Sequence, residues 1–222
     1  MFSFLRKKRV SFILTMLLSL AAAPQLLAKD DWEYWHETQL QVRLHDRLKW
    51  RVKGEHRLRD DFSDLFLNNL DTGLSWKASE HFEIGPYFKY EHEKDSRGNH
   101  INENRWYLEA VLKGNAGPLR LANRSRIAYR NKNTSDSWRY RNQFKVSHVL
   151  PVKKIIIEPF ATEEIFWDLT AREYNQNRAA LGVQLGLNKH MTVSLYYLLK
   201  SSKRDSDWDE AHVLGSTVTF SV

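Results

Sequence analysis

The chain has 222 residues, no cysteine, 42% hydrophobic and 27% charged residues, and a formal charge of +7. That size suits one β domain or two small ones, and the lack of cysteine excludes a disulfide framework and a thiolate metal centre. Eight Trp, nine Tyr and eleven Phe against nine Gly and five Pro exclude a low-complexity chain.

The first predicted element is a secretory signal over residues 1–28. Arg6, Lys7, Lys8 and Arg9 form a basic start, Val10 to Ala23 an apolar run, and Leu26, Leu27 and Ala28 a cleavage region. An uncleaved anchor is the alternative, but the apolar run falls short of the ~20 residues a spanning helix needs. The mature domain is then expected over 29–222. Removing the four basic residues leaves 30 basic against 27 acidic residues, a charge of +3. Most of the basic excess is therefore export signal, and a nucleic-acid partner is not expected.

The mature chain alternates polar and apolar residues almost throughout, the period of a β-strand. Expected strands are 32–44, 48–59, 66–77, 82–91, 103–114, 118–130, 138–149, 154–166, 174–187, 191–200 and 210–222. Short connections such as 45–47, 78–81, 115–117, 151–153 and 188–190 alternate with longer polar ones at 60–65, 92–102, 131–137, 167–173 and 201–209. Most strands run ten to thirteen residues, against about 5–6 for a soluble strand and about 9–11 for a tilted membrane strand. Aromatic residues gather near strand ends, among them Trp32, Trp50, Trp76, Trp106, Trp138 and Trp167, as interfacial girdles do.

These features predict an all-β, antiparallel transmembrane barrel of about ten to twelve strands in a bacterial outer membrane, with short periplasmic turns and longer outer loops. Eleven segments is an odd number where bacterial barrels have an even one. Asn123, Ser125 and Asn142 also fall on the parity expected to face lipid. A soluble sandwich or lipocalin-like barrel is the competing fold.

Several stretches together resemble the outer-membrane barrel family catalogued as domain of unknown function 2490. They are "EHRLRDD" (55–61), "ENRWYLEA" (103–110), "RLANRSRIAYR" (120–130), "WRYRNQFKVS" (138–147), "EPFATEEIFWD" (158–168), "NQNRAALGVQLGL" (175–187) and "HVLGSTVTFSV" (212–222). Their order and spacing carry the resemblance, which implies an outer-membrane barrel without an established activity. Ala128 departs from it, standing where the R-x-R-x-E-x-R form of the motif has an acid.

If the polar parity points inward, the lumen collects Arg105, Arg124, Arg126, Arg139, Arg141, Lys145 and Arg178, with Glu109, Glu158 and Glu164 as ion-pair partners. Unpaired charge in a narrow lumen is costly, so a packed ionic plug is one expectation. A stripe of guanidiniums can also hold carboxylates or phosphates weakly enough to pass them on. The function expected is a narrow channel or binding barrel for small anionic solutes, embedded in outer-membrane lipid. The alternatives are a closed barrel with a structural or envelope-assembly role and an outer-membrane acyl hydrolase. For the hydrolase, Ser147 with His148, or Ser216 near His212, supply the atoms. No G-x-S-x-G or H-E-x-x-H is present, so no enzyme and no catalytic residue is expected. No cofactor and no metal is expected either: His92 and His100, and the acids Asp205, Asp207, Asp209 and Glu210, read better as solvated loops.

Overall fold

The computed structural model describes residues 31–95, 97–152, 155–204 and 207–222. The expected signal at 1–28 lies outside them, as do Lys29 and Asp205. Twelve strands follow one another: β1 (Asp31–His45), β2 (Leu48–Arg59), β3 (Asp64–Lys77), β4 (Phe82–Lys94), β5 (His100–Ala116), β6 (Leu119–Lys132), β7 (Asp136–His148), β8 (Leu150–Val152), β9 (Ile155–Asp168), β10 (Glu173–Gly186), β11 (Met191–Arg204) and β12 (Asp207–Ser221). Each expected segment is a strand. The three-residue β8, which pairs only with β9, was not expected.

Eleven of the strands close a barrel among the described residues. Neighbours in sequence pair antiparallel, β7 pairs β9, and β1 pairs β12 in parallel from Asp31↔Ala211 to Gln41↔Ser221. The odd count is therefore real, and the expectation of an all-antiparallel ring gives way at one seam. An odd ring brings its first and last strands together pointing the same way, so their ladder must be parallel.

The polarity of this barrel is the reverse of a soluble domain. Large apolar residues face outward, including Leu70 at 55% exposure, Leu112 at 56% and Trp76 at 52%, while Asp71 at 0%, Glu103 at 2% and Arg126 at 4% are buried. An apolar outer face and a charged interior are the signature of a barrel built for lipid. Rings of Phe88, Trp106, Tyr129 and Trp138 run across β4 to β7 with successive centroids 5.4, 6.2 and 5.4 Å apart. The polar residues on the outward parity satisfy one another. The amides of Asn123 and Asn142 form two reciprocal hydrogen bonds of 3.0 Å, and Asn142 Nδ2 also donates to Ser125 Oγ at 2.9 Å.

The rim expected to carry long loops is narrower than the sequence suggested. Residues 92–94 and 100–102 continue the ladder of β4 and β5, which leaves 95–99 as the connection. Asp95 organises that connection. Its Oδ1 accepts from the backbone N–H groups of Arg97 and Asn99 at 2.8 Å each, and its Oδ2 from Asn99 Nδ2 at 3.0 Å. The Asn99 side chain, followed by the backbone donors, holds the carboxyl below its ordinary range. A depressed folded pKa contributes order that is present above the unfolded pKa and lost as pH falls through the folded one. Amide exchange at Asn99 should therefore quicken in acid below the usual carboxylate range while the barrel strands stay protected. Asp95→Ala should abolish that pH dependence; a dependence that survives it assigns the effect elsewhere.

Candidate functional site

The inward parity places charges from several strands in one interior, where register decides who pairs. Glu109 on β5 lies directly opposite Arg126 on β6. Its carboxylate meets Arg126 Nη2 at 2.5 Å and, across the barrel, Arg51 Nη1 at 3.0 Å. Arg51 also reaches Asp71 at 3.5 Å and the Tyr107 hydroxyl at 3.1 Å, and Tyr107 in turn donates to Asp71 at 2.5 Å. The guanidiniums lie over rings, Arg126 over Tyr107 and Arg51 over Tyr87, each at 4.0 Å. Ala128 is 2% exposed and packs with Tyr87 and Tyr107. The position where the family motif has an acid is thus filled by rings, and the acids come from β5.

A second knot centres on Glu103, which accepts from Arg105 Nε at 2.5 Å and Arg130 Nη2 at 2.6 Å, while Arg105 Nη2 reaches Glu91 at 2.9 Å. A third joins Glu55 to Arg57 at 2.7 Å and to Asn69 at 2.7 Å, with Lys89 between Glu55 and Glu91 at 3.9 and 3.4 Å. Glu164 anchors a fourth, with Arg141 at 2.9 Å, Arg124 at 3.1 Å and Arg178 at 3.9 Å. The expected partners Glu109, Glu158 and Glu164 are each ion-paired, Glu158 with Arg120 at 3.5 Å. Arg124 goes to Glu164 because its direct neighbours across the ladder are Val111 and Gln143. Glu55, Asp71, Lys89, Glu91, Glu103 and Arg130 belong to the same machinery. Their parity was legible, but an alternation pattern does not rank which inward residues converge.

Pairing thins toward β7 and β10. Among the described residues, Arg139 and Lys145 have no ion pair, and Lys145 lies over the Phe160 ring at 4.5 Å. The Nε atoms of Arg139, Arg141 and Arg178 are buried without a hydrogen-bond partner. These three guanidiniums border a cavity of about 310 Å³ that also receives Lys132 and Lys200, with Glu91 and Glu93 as its only acids among the described residues. Below it, rings and guanidiniums alternate across the lumen. Arg57 sits 3.7 Å over Trp35, Arg178 sits 4.7 Å over Trp35 and 4.6 Å over Phe166, and Arg141 sits 4.5 Å over Phe166. The next cavity along the axis, about 320 Å³, shares Arg57, Lys89, Arg141 and Arg178 with the first. That layer lines both cavities.

The Ser and His pairs suggested by sequence are not brought together. Ser147 points inward and donates to Glu158 at 2.6 Å, whereas His148 meets the Pro118 carbonyl at 2.9 Å, because adjacent strand residues face opposite sides. His212 contacts the Tyr197 hydroxyl at 2.5 Å, and Ser216 instead contacts His36. His92 and His100 do meet, with ring nitrogens 3.1 Å apart. Among the described residues no three His, Asp or Glu side chains gather to hold a metal ion.

The fold is similar to that of outer-membrane barrels. The NanC porin matches with a TM-score of 0.51 at 10% identity, over 86% of this chain and 99% of that one. The β domain of the Bordetella autotransporter BrkA gives 0.49 at 11%, over 78% and 82% of the two chains. The KdgM porin in complex with disordered oligogalacturonate gives 0.46 at 16%, over 84% and 96%. At such identities the likeness is one of fold alone. No curated protein matches the chain in sequence. The model of the proteins of unknown function called DUF2490 matches residues 32–211, and the chain belongs to that family.

Proposed function

We propose that this barrel sits in the outer membrane and binds small anions in its interior, passing them along the axis past the shared layer at Arg141 and Arg178. One observation carries the reading: three half-buried guanidiniums, Arg139, Arg141 and Arg178, border a cavity with more cation than carboxylate and keep buried, unused Nε–H donors. Buried polar groups are seldom left without partners, and carboxylates or phosphates are the ligands that guanidinium forks fit best. The paired layers around Glu109 and Glu103 hold the wall rigid and leave the surplus charge on one side of the lumen.

The extent of that pairing supports a second reading, a closed barrel whose interior is an ionic core. Planar-bilayer recording separates the two. The channel reading expects conductance that favours chloride over potassium, reduced in selectivity by Arg139→Gln, Arg141→Gln and Arg178→Gln together. The same triple change should weaken phosphate-dependent thermal stabilisation at least about tenfold in apparent affinity, or 1.4 kcal/mol. Folded wild-type protein that neither conducts nor gains stability from phosphate would refute both passage and binding.

A further inference from the structure

The parallel seam places a hydroxyl, an imidazole and a phenol in one hydrogen-bonded chain on the outer wall. Ser216 on β12 lies directly opposite His36 on β1, and both are on the outward parity with Leu214, Leu40 and Phe220, although Ser216 itself is only 9% exposed. Ser216 Oγ is 2.8 Å from His36 Nδ1 and 2.7 Å from the Tyr34 hydroxyl. His36 Nε2 is 3.1 Å from Thr38 Oγ1. Two proton arrangements satisfy these contacts, and the one that leaves Nδ1 free for Ser216 is the following. Tyr34 O–H donates to Ser216 Oγ, Ser216 O–H donates to His36 Nδ1, and His36 Nε2–H donates to Thr38. In that arrangement Nδ1 carries the free electron pair, as a general base for Ser216 requires.

The surroundings suit a lipid substrate. Ser216 is also paired with Leu195 on β11, which is 51% exposed, and Leu214 at 42% and Leu40 at 37% flank the site on the same face. Phe62 meets Tyr34 edge-on at 6.3 Å. Phe62 is held there by three successive non-glycine residues in the left-handed region, Asp60, Asp61 and Phe62 at φ 52°, 53° and 69°. Side chains seldom adopt that conformation, and runs of it are retained where the surroundings enforce it. An acyl chain can lie along Leu195 and Leu214 with its ester at Ser216.

We propose that Ser216 and His36 form a nucleophile and base that hydrolyse the acyl ester of a membrane lipid on the barrel's outer face. Ser216 Oγ attacks the ester carbonyl carbon as its proton passes to His36 Nδ1. The tetrahedral intermediate then breaks its bond to the alcohol oxygen, which leaves with that proton. Water attacks the acyl-serine with His36 again taking the proton, and collapse of the second tetrahedral intermediate breaks the bond to Ser216 Oγ, which regains that proton from His36 as the fatty acid leaves. Tyr34, 2.7 Å from Ser216 Oγ, can donate to the carbonyl oxygen as it gains charge, and Thr38 is a positioning residue on the far imidazole nitrogen. The proposal rests on the placement of the barrel in a lipid bilayer and is independent of the anion reading.

The test uses purified folded protein in vesicles of phosphatidylethanolamine, with fatty-acid release and labelling by a fluorophosphonate probe as readouts. Ser216→Ala and His36→Ala should each lower release about a hundredfold or more. Ser216→Ala should also abolish labelling. Thr38→Val should lower turnover with a shifted pH profile and leave labelling of Ser216 measurable, which a purely structural role at the seam would not produce. Folding of each variant is checked by heat-modifiable gel mobility, and Ser216→Cys serves if Ser216→Ala fails to fold: labelling by iodoacetamide quenched by His36→Ala then supports the pair. Release and labelling in folded wild-type protein no greater than in the serine variant would overturn the proposal, whatever the bilayer conductance shows.

Discussion

Glu109→Gln is expected to lower the unfolding free energy of the barrel by about 3 kcal/mol, the scale for removing one partner of a buried ion pair. Glu109 is 4% exposed and its carboxylate serves two guanidiniums, Arg126 at 2.5 Å and Arg51 at 3.0 Å. Glutamine keeps the shape and removes the charge, so buried Arg126 and half-buried Arg51 are left with Asp71, 3.5 Å from Arg51, as an acid nearby. Urea titration in detergent micelles, followed by tryptophan fluorescence, measures the loss. The exposed pair Lys77–Glu80 is the control, and Glu80→Gln should cost no more than about 1 kcal/mol. Replacing this pair, Glu109→Leu with Arg126→Met, should recover only part of the loss, because apolar residues of similar volume carry no desolvation penalty but Arg51 keeps only Asp71 as partner. A Glu109→Gln loss equal to that of Glu80→Gln would mean the knot contributes little.

Gly85→Ala should be at least as damaging. A Cβ on Gly85 would lie 1.8 Å from the Leu74 carbonyl oxygen and 2.8 Å from its carbon, and backbone cannot give way as a side chain can. The next residue, Pro86, has no N–H for the ladder, and β3 and β4 lack the pairing between Gly73↔Tyr87 and Trp76↔Ile84. At this pinch the strands approach closely over glycine. The methyl group must part them, at a cost of about 3 kcal/mol or more. Gly114→Ala is the comparison, since nothing lies within 4 Å of its added Cβ; it should change stability by no more than about 0.5 kcal/mol. Equal stability of the two variants would show that the pinch relaxes freely.

The residues differ in how much of this they announce. The segment 48–59 shows an unbroken alternation, and β2 has the same bounds. The inward direction of Arg124 and Arg126 follows from the same period, whereas the pairing of Arg126 with Glu109 is set by the register of β5 and β6. The connections near 92–102 read as loop because His92, Asn99 and Asn102 are polar on both faces, and no period distinguishes a wet strand end from a loop. Contacts that span the lumen, such as Arg51 to Glu109, depend on closure and are invisible to any local pattern. The seam is the extreme case: periodicity is blind to which strand lies beside the first one. Ser216 therefore appeared to neighbour His212 in sequence, while the parallel ladder sets it beside His36.

That ladder has a topological consequence. A ring with an even number of strands leaves both ends of its sheet on one side of the bilayer, so a chain can insert as a series of hairpins without carrying either end across. Here Asp31 begins β1 at one rim and Ser221 ends β12 at the other. In the bilayer proposed for it, insertion would have to translocate one flank of the sheet, and the contact that closes the ring joins residues 180 positions apart, as Asp31 and Ala211 are. Such a closure comes late. Until it forms, β1 and β12 are open strand edges available to an assembly factor or to a second chain.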